Sequence, residues 1–178
     1  MSGKESQSVL PQERFQVFVC YAHVDNESPD KRERWLDRLV EFLAPLTRQG
    51  VIEPWSDKKI ELGDHWHQNI QARLERSKAV ILLVSPAFLN SAYVAKHELP
   101  FILSSAERQR LPVIQILISP SMFEEASYPF DDETGNVKEF SLANLQSANP
   151  PDKTLIEVSE AEQNRIFLHV GKRVEVPC

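Results

Sequence analysis

The sequence predicts an α/β domain in which a central parallel sheet of about five strands carries helices on both faces, and three observations lead there. Residues 79–84 are six consecutive apolar side chains bounded by polar ones, as suits a strand covered on both faces. Residues 15–21 set Phe15, Val17 and Val19 in alternation with Gln16, Phe18 and Cys20, two sets that a central strand buries together. Strand-like and helix-like segments then alternate along the chain with short connections, the order from which parallel sheets with right-handed crossovers are built.

The first strand, residues 15–21, runs into a polar loop at 22–29. From 30 to 49 the apolar residues Trp35, Leu36, Leu39, Val40, Leu43 and Leu46 recur at helical spacing; Pro45 bends that helix near its end and Gly50 stops it. Residues 51–55 read as a short strand, and Pro54 places it at an edge because proline donates nothing to a ladder. After a charged loop, Asp64 caps a helix that carries Trp66, Ile70 and Leu74 on one side, a stripe expected to pack on the sheet. Trp35 likewise opens the buried stripe of its own helix. The buried strand 79–84, a helical region at 87–109 and a further apolar strand at 113–118 follow.

Residues 119–152 contain Pro120, Pro129, Pro150 and Pro151 and the polar run 131–136, so they read as a loop-rich insertion with a short element at 122–126. Residues 155–158 are expected to form a final edge strand. Ser159 with Glu162 three residues on fits a capping box opening a last helix through 169. One domain is expected over 12–174, with a flexible tail at 1–11 and, at 175–178, a C-terminal tail or the start of a linker to a further domain.

Composition narrows the function classes. The chain has 178 residues, 42% of them hydrophobic and 26% charged, as in an ordinary globular protein, and no apolar run reaches the roughly 20 residues that span a bilayer. Its polar start lacks an apolar signal core, so a cytoplasmic protein without a membrane partner is expected. A net charge of −6 argues against a nucleic-acid partner, since such modules show a basic face. Two cysteines, Cys20 in a core strand and Cys178 at the end, make no disulfide framework. With only five glycines, at positions 3, 50, 63, 135 and 171, neither G-x-G-x-x-G nor G-x-x-x-x-G-K-S/T can be written, which removes the dinucleotide-binding dehydrogenase and the P-loop NTPase.

Ligands of open parallel sheets bind beyond the carboxyl ends of the strands, and Glu98 lies a few residues past such an end on a helical segment. By itself it would be a solvated helix glutamate. His97 points about 100° away from it and reads as a surface or packing residue. His65 and His67 are two apart on a helix and so do not face each other, and no metal site is expected. Asp25 and His23 are loop residues of the kind that order turns, with a ligand role as the alternative.

Taken together, several segments carry a resemblance. These are 18–25 (Phe-Val-Cys-Tyr-Ala-His-Val-Asp), 51–64 (Val-Ile-Glu-Pro-Trp-Ser-Asp-Lys-Lys-Ile-Glu-Leu-Gly-Asp), Trp66 with Ile70, and Val84-Ser85-Pro86 followed by Phe88, Leu89, Ser91, Tyr93 and Glu98-Leu99-Pro100. In that order and spacing the chain resembles a Toll/interleukin-1 receptor (TIR) domain of the bacterial type, over residues 15–118 with a looser fit to the end. The resemblance implies a flavodoxin-like α/β fold. It also implies that Glu98 is the catalytic glutamate of the TIR enzymes that cleave NAD+ at the nicotinamide–ribose bond, giving nicotinamide and ADP-ribose or a cyclic isomer. NAD+ is then substrate, and no cofactor is required.

The resemblance further implies that Tyr21, Ala22, His23, Trp55, Asp57, Ser85 and Tyr93 contribute to substrate binding. The aromatic faces of Trp55 and Trp66 either stack on a base or pack a helix. The loop Lys59, Ile60, Glu61, Leu62, Gly63 is implied to meet a neighbouring copy, so that self-association activates the enzyme in immune or antiphage signalling beside a fused or bound sensor domain. Many family members carry Trp or Cys four residues before the glutamate; here Val94 stands there, while Tyr93 matches a bacterial variant of the motif. The alternative is a non-enzymatic adaptor acting through TIR–TIR contacts alone. A flavodoxin-like phosphoacceptor would need paired acidic residues after the first strand, where Tyr21-Ala22-His23 stands instead.

Overall fold

The computed structural model of the chain describes residues 15–56 and 66–175, and the side chains of all of these but Trp66 and His67. Strands β1 (Phe15–Cys20), β2 (Ile52–Trp55), β3 (Ser77–Val84) and β4 (Val113–Leu117) form a wholly parallel sheet in the order β2-β1-β3-β4. Period-two alternation divides the sheet's side chains between two cores. Phe18, Cys20, Val80, Leu82 and Val84 face one layer, and Val17, Val19, Ala79, Ile81 and Leu83 face the other.

The first layer is covered by α2 (Trp66–Glu75), α3 (Pro86–Asn90) and α4 (Leu99–Gln109), the second by α1 (Trp35–Arg48) and α5 (Glu160–Glu175). The stripes read from the sequence supply the contacts: Trp35, Leu36, Leu39 and Leu43 of α1 are buried, as are Ile70 and Leu74 of α2, whereas Val40 faces solvent. The Trp66 side chain and the cap at Asp64 lie outside the described residues. Gly50, at φ +73°, turns the chain out of α1 just past Pro45, which the helix accommodates three residues before its end.

Several expectations are corrected. Phe15 is not in the core: it is 39% exposed, with the Lys78 ammonium 3.1 Å from its ring centroid. The helical region expected at 87–109 is broken: α3 stops at Asn90, Ser91 is extended, and a wide turn at Val94–Glu98 precedes α4. The last helix runs on to Glu175. No fifth strand forms at 155–158. Instead Asn149 lines the outer edge of β4, its Oδ1 accepting from the Leu117 N–H and its Nδ2 donating to the Leu117 carbonyl, each at 2.9 Å. Ala148, Leu155 and Ile156 add backbone bonds to Gln115, Leu117 and Ile118. Thr154 then turns the chain by donating its hydroxyl to Glu157 at 2.6 Å, which ends the pairing after two residues. The edge is covered by an amide side chain and a turn, which do for β4 what a strand would.

The stretch expected as loop-rich holds a short 3₁₀ turn at Phe123–Glu125 and an antiparallel hairpin, β5 (Ser127–Asp131) and β6 (Val137–Ser141). Tyr128 and Phe130 alternate inward onto the α4 layer. Asp132 closes the five-residue loop by accepting from the N–H groups of Thr134 and Asn136, and Gly135 takes φ +80°. Lys138 bridges to Glu107 of α4 at 3.1 Å. Among the described residues no helix is long and apolar enough to cross a membrane.

β3 carries most of this packing, since each of its residues from Ala79 to Val84 is at most 1% exposed. Leu82→Ala is expected to lower stability by about 2–5 kcal/mol. Urea unfolding checks it; a loss under about 1 kcal/mol would mean that the two layers collapse onto the gap.

Candidate functional site

Because all four strands run the same way, their carboxyl ends share one edge, and the segments leaving it converge there. The chain leaves β1 toward β2 on one side, and β3 lies on the other, so the ends of β1 and β3 flank the point where strand order reverses, the usual ligand crevice of open sheets. Tyr21, Ala22 and a 3₁₀ turn at His23–Asn26 follow β1; Ser85 follows β3; Trp55 ends β2.

Ser85 ties two of these segments together. Its backbone is extended, which frees its hydroxyl to cap α3: Oγ accepts from the Phe88 N–H at 3.0 Å and donates to Asp25 Oδ2 at 2.5 Å. One residue on, Asn26 holds the other flank, its Nδ2 donating to Asp37 Oδ1 and its Oδ1 accepting from the Asp37 N–H, both at 3.0 Å. The β1 loop is thus pinned to α3 on one side and to α1 on the other. The sequence marked Asp25 as a turn residue; its link across 60 positions to Ser85 had no local signal.

The remaining candidates occupy different settings. Tyr21 and Ala22 are buried, Tyr21 with its ring 5.3 Å from that of exposed His23. Trp55 is 4% exposed and packs 4.8 Å from Phe18, with the Arg73 guanidinium 5.4 Å over its ring, so its faces serve the core. Tyr93 is half-buried and meets His97 one turn on, ring centroids 5.7 Å apart. Asp57 and the loop residues Lys59, Ile60, Glu61, Leu62 and Gly63 lie outside the described residues, as does His65.

Glu98 departs from the solvated helix glutamate that its residue type favours. It is 1% exposed, and it is the only side chain among the described buried polar residues that ionises. It sits at the end of the turn Val94–Glu98, where the Leu99 N–H bonds to the carbonyl of Val94, five residues back instead of four. The turn packs against α3, which starts at the end of β3, so the backbone brings Glu98 to the carboxyl side of the sheet. Such wide turns are enriched at functional sites. Among the described residues no group of His, Cys, Asp and Glu is arranged to hold a metal.

A parallel sheet of this order with helices on both faces defines a flavodoxin-like α/β domain. A model of the TIR domain matches residues 17–153, and the chain belongs to the TIR domain family. It is also 38% identical over 77 residues to the uncharacterized protein y4lF of Sinorhizobium fredii; the match takes in 43% of this chain, which spans 22% of the length of that curated relative. Among solved structures it is similar to the activated Roq1 resistosome directly recognizing the pathogen effector XopQ (TIR domains). There the identity is 19% and the TM-score 0.43, over 62% of this chain and 63% of that one. The assignment rests on the family match.

Burial raises the pKa of the Asp25 carboxyl, with the Ser85 hydrogen bond opposing it. Ionisation is therefore less favourable in the folded chain than in the unfolded one, and the stability this group contributes falls as pH climbs through its folded-state range. Asparagine keeps an acceptor for Ser85 and does not ionise. Asp25→Asn is expected to gain stability relative to the parent between about pH 4 and about pH 7. Urea unfolding of both at each pH checks the sign, and a flat or falling difference would mean that the Ser85 bond outweighs burial.

Proposed function

We propose that this chain is a TIR-domain NAD+ glycohydrolase that cleaves the nicotinamide–ribose bond, with Glu98 as its catalytic carboxylate. The observation that carries this is the burial of Glu98 at the carboxyl edge of a parallel sheet in a chain of the TIR family. Burying a carboxyl costs desolvation, and holding one at such an edge points to use.

The reaction suits one anion. The bond from ribose C1′ to the pyridinium nitrogen breaks, and its electron pair leaves with nicotinamide, which departs neutral and needs no general acid. Positive charge then spreads over C1′ and the ring oxygen. A carboxylate held beside the ribose hydroxyls orients the sugar and stabilises that charge better than it stabilises the ground state. Water then adds its oxygen to C1′ and releases a proton, giving ADP-ribose; attack by the adenine ring gives the cyclic isomer instead. In this reading Tyr21, Ala22 and His23 border the site from the β1 loop, Ser85 fixes that loop, and Tyr93 shares the turn with Glu98. Trp55 supports the end of β2 from within the core, and a binding role for Asp57 is proposed on the family resemblance alone.

At 1% exposure Glu98 reaches a ribose only after neighbouring segments part. That requirement agrees with activation by self-association, in which the loop at Lys59, Ile60, Glu61, Leu62 and Gly63 of one copy meets the next and relieves the closed arrangement. A head-to-tail contact of this kind does not close on itself and builds open assemblies, so activity rises steeply with concentration. The setting that fits is immune or antiphage signalling beside a sensor domain.

Concentrated, crowded protein is expected to release nicotinamide from NAD+, and Glu98→Gln, which keeps the volume and removes the charge, is expected to lower the rate by about a hundredfold or more. Equal rates for both proteins would remove Glu98 from the chemistry. Self-association without nicotinamide release from either would support the adaptor reading in place of the enzyme.

A further inference from the structure

We infer that Pro100 is a positioning residue: it forces open the turn Val94–Glu98 and so sets the helical phase of the segment that precedes Glu98. The inference deepens the proposed glycohydrolase reading and rests on it for its activity measurement, while its structural half stands apart.

The helical stretch from residue 92 to 109 has a proline inside it, with helix on both sides. In an uninterrupted α-helix residue 100 would donate its N–H to the Lys96 carbonyl. Proline has no N–H, and its ring collides with the carbonyl four residues back. The chain's response is visible one step earlier: the Leu99 N–H reaches past Ala95 to the Val94 carbonyl, and the enlarged turn gives the Lys96 carbonyl room to clear the ring.

The enlarged turn holds about one residue more than an α-turn, which shifts the helical phase by about 100°. Burial shows what the shift achieves. α4 is anchored in the core by Leu99, Ile102, Leu103 and Ala106, and buried Glu98 borders that face. Continued backward from these residues at 100° per step, a regular helix would carry Val94 about 130° from the centre of that face. Val94 is nevertheless 2% exposed, so the extra residue returns it to the core while Lys96 and His97 stay in solvent. Val94 therefore faces the α4 layer only because the turn is wide. Closing it would rotate the segment before Glu98, Tyr93 and Val94 included, against a fixed α4.

A proline held within a helix is costly, and Pro100 is only half-buried, so replacing it removes little packing. This gives the test two readouts of opposite sign. Pro100→Ala in the full chain is expected to unfold at a higher urea midpoint than the parent while kcat/KM for nicotinamide release falls at least tenfold. The new amide at position 100 is expected to exchange slowly with deuterium, because it pairs with Lys96. Pro100→Leu, another good helix former, repeats the measurement should the alanine variant fail to fold. Unchanged activity in a stabilised variant would overturn the positioning role, and so would a loss of activity that only tracks a loss of stability. Fast exchange at position 100 would overturn the claim that proline holds the turn open. Should the parent itself release no nicotinamide, the glycohydrolase reading falls, and amide exchange alone decides whether Pro100 sets the turn.

Discussion

β3 pairs with β1 on one side and β4 on the other, and its apolar run presents alternate residues to two separate cores, so it has no solvent face to spare. A strand in that position fixes the layers above and below it. The parallel direction of its neighbours compels each connection to cross the sheet, which is what puts α1 and α5 on one face and α2, α3 and α4 on the other. The same direction gathers the carboxyl ends of β1, β2 and β3 at one edge. The site is a consequence of the sheet's polarity before it is a consequence of any single side chain.

What the edge then adds is restraint. A loop of polar residues on a sheet edge is ordinarily mobile, and here the β1 loop is fastened on both flanks, by Asp25 to Ser85 and by Asn26 to Asp37. Ser85 spends its hydroxyl in both directions, as cap and as donor, which makes it a structural keystone of the edge. Asp25 and Glu98 are both carboxyls withdrawn from water, yet they differ in what the fold gives them. Asp25 keeps a partial opening and a hydroxyl partner, whereas Glu98 is closed in at the end of a wide turn that the Leu99 N–H closes onto the Val94 carbonyl.

How much of this was legible in the sequence follows from the range of each signal. The strands and the stripes of α1 and α2 are written in local periodicity, and residues 79–84 in particular announce a doubly buried strand. The hairpin was also legible in principle: Tyr128 and Phe130 alternate with polar or proline positions, and Gly135 sits in a five-residue turn that Asp132 organises. The prolines around it mask that pattern, because Pro129 in a strand is compatible with pairing only at an edge, and this strand pairs on one side alone. The fifth strand failed for the opposite reason. Leu155 and Ile156 look like a strand and make two of its bonds, but the outer edge of β4 is already met by Asn149 from beyond a proline pair. Competition of that kind has no local trace. Glu98, Ser85 and Tyr21 are candidates because they stand in the motif that resembles the family. The burial of Trp55 and the turn at Val94–Glu98 depend on what packs against them, and only Pro100 gave notice of the second.

Under the proposed function the burial of Glu98 bears on control as well as on chemistry. A carboxylate that is 1% exposed in the resting domain defines a closed state, and catalysis belongs to an open one. A population held almost wholly closed needs a differential affinity of order 10⁴, about 5.5 kcal/mol, to be shifted almost wholly open. Substrate contacts alone would open the site in every cell that holds NAD+, and the enzyme would never rest. A contact between copies supplies the shift only when copies are brought together, and because each copy offers one face and receives on another, each added copy opens its neighbour. On the proposed function the buried glutamate, the restrained β1 loop and the wide turn would act in one direction: they would keep the chemistry inaccessible until assembly and place the threshold in the concentration of the chain itself.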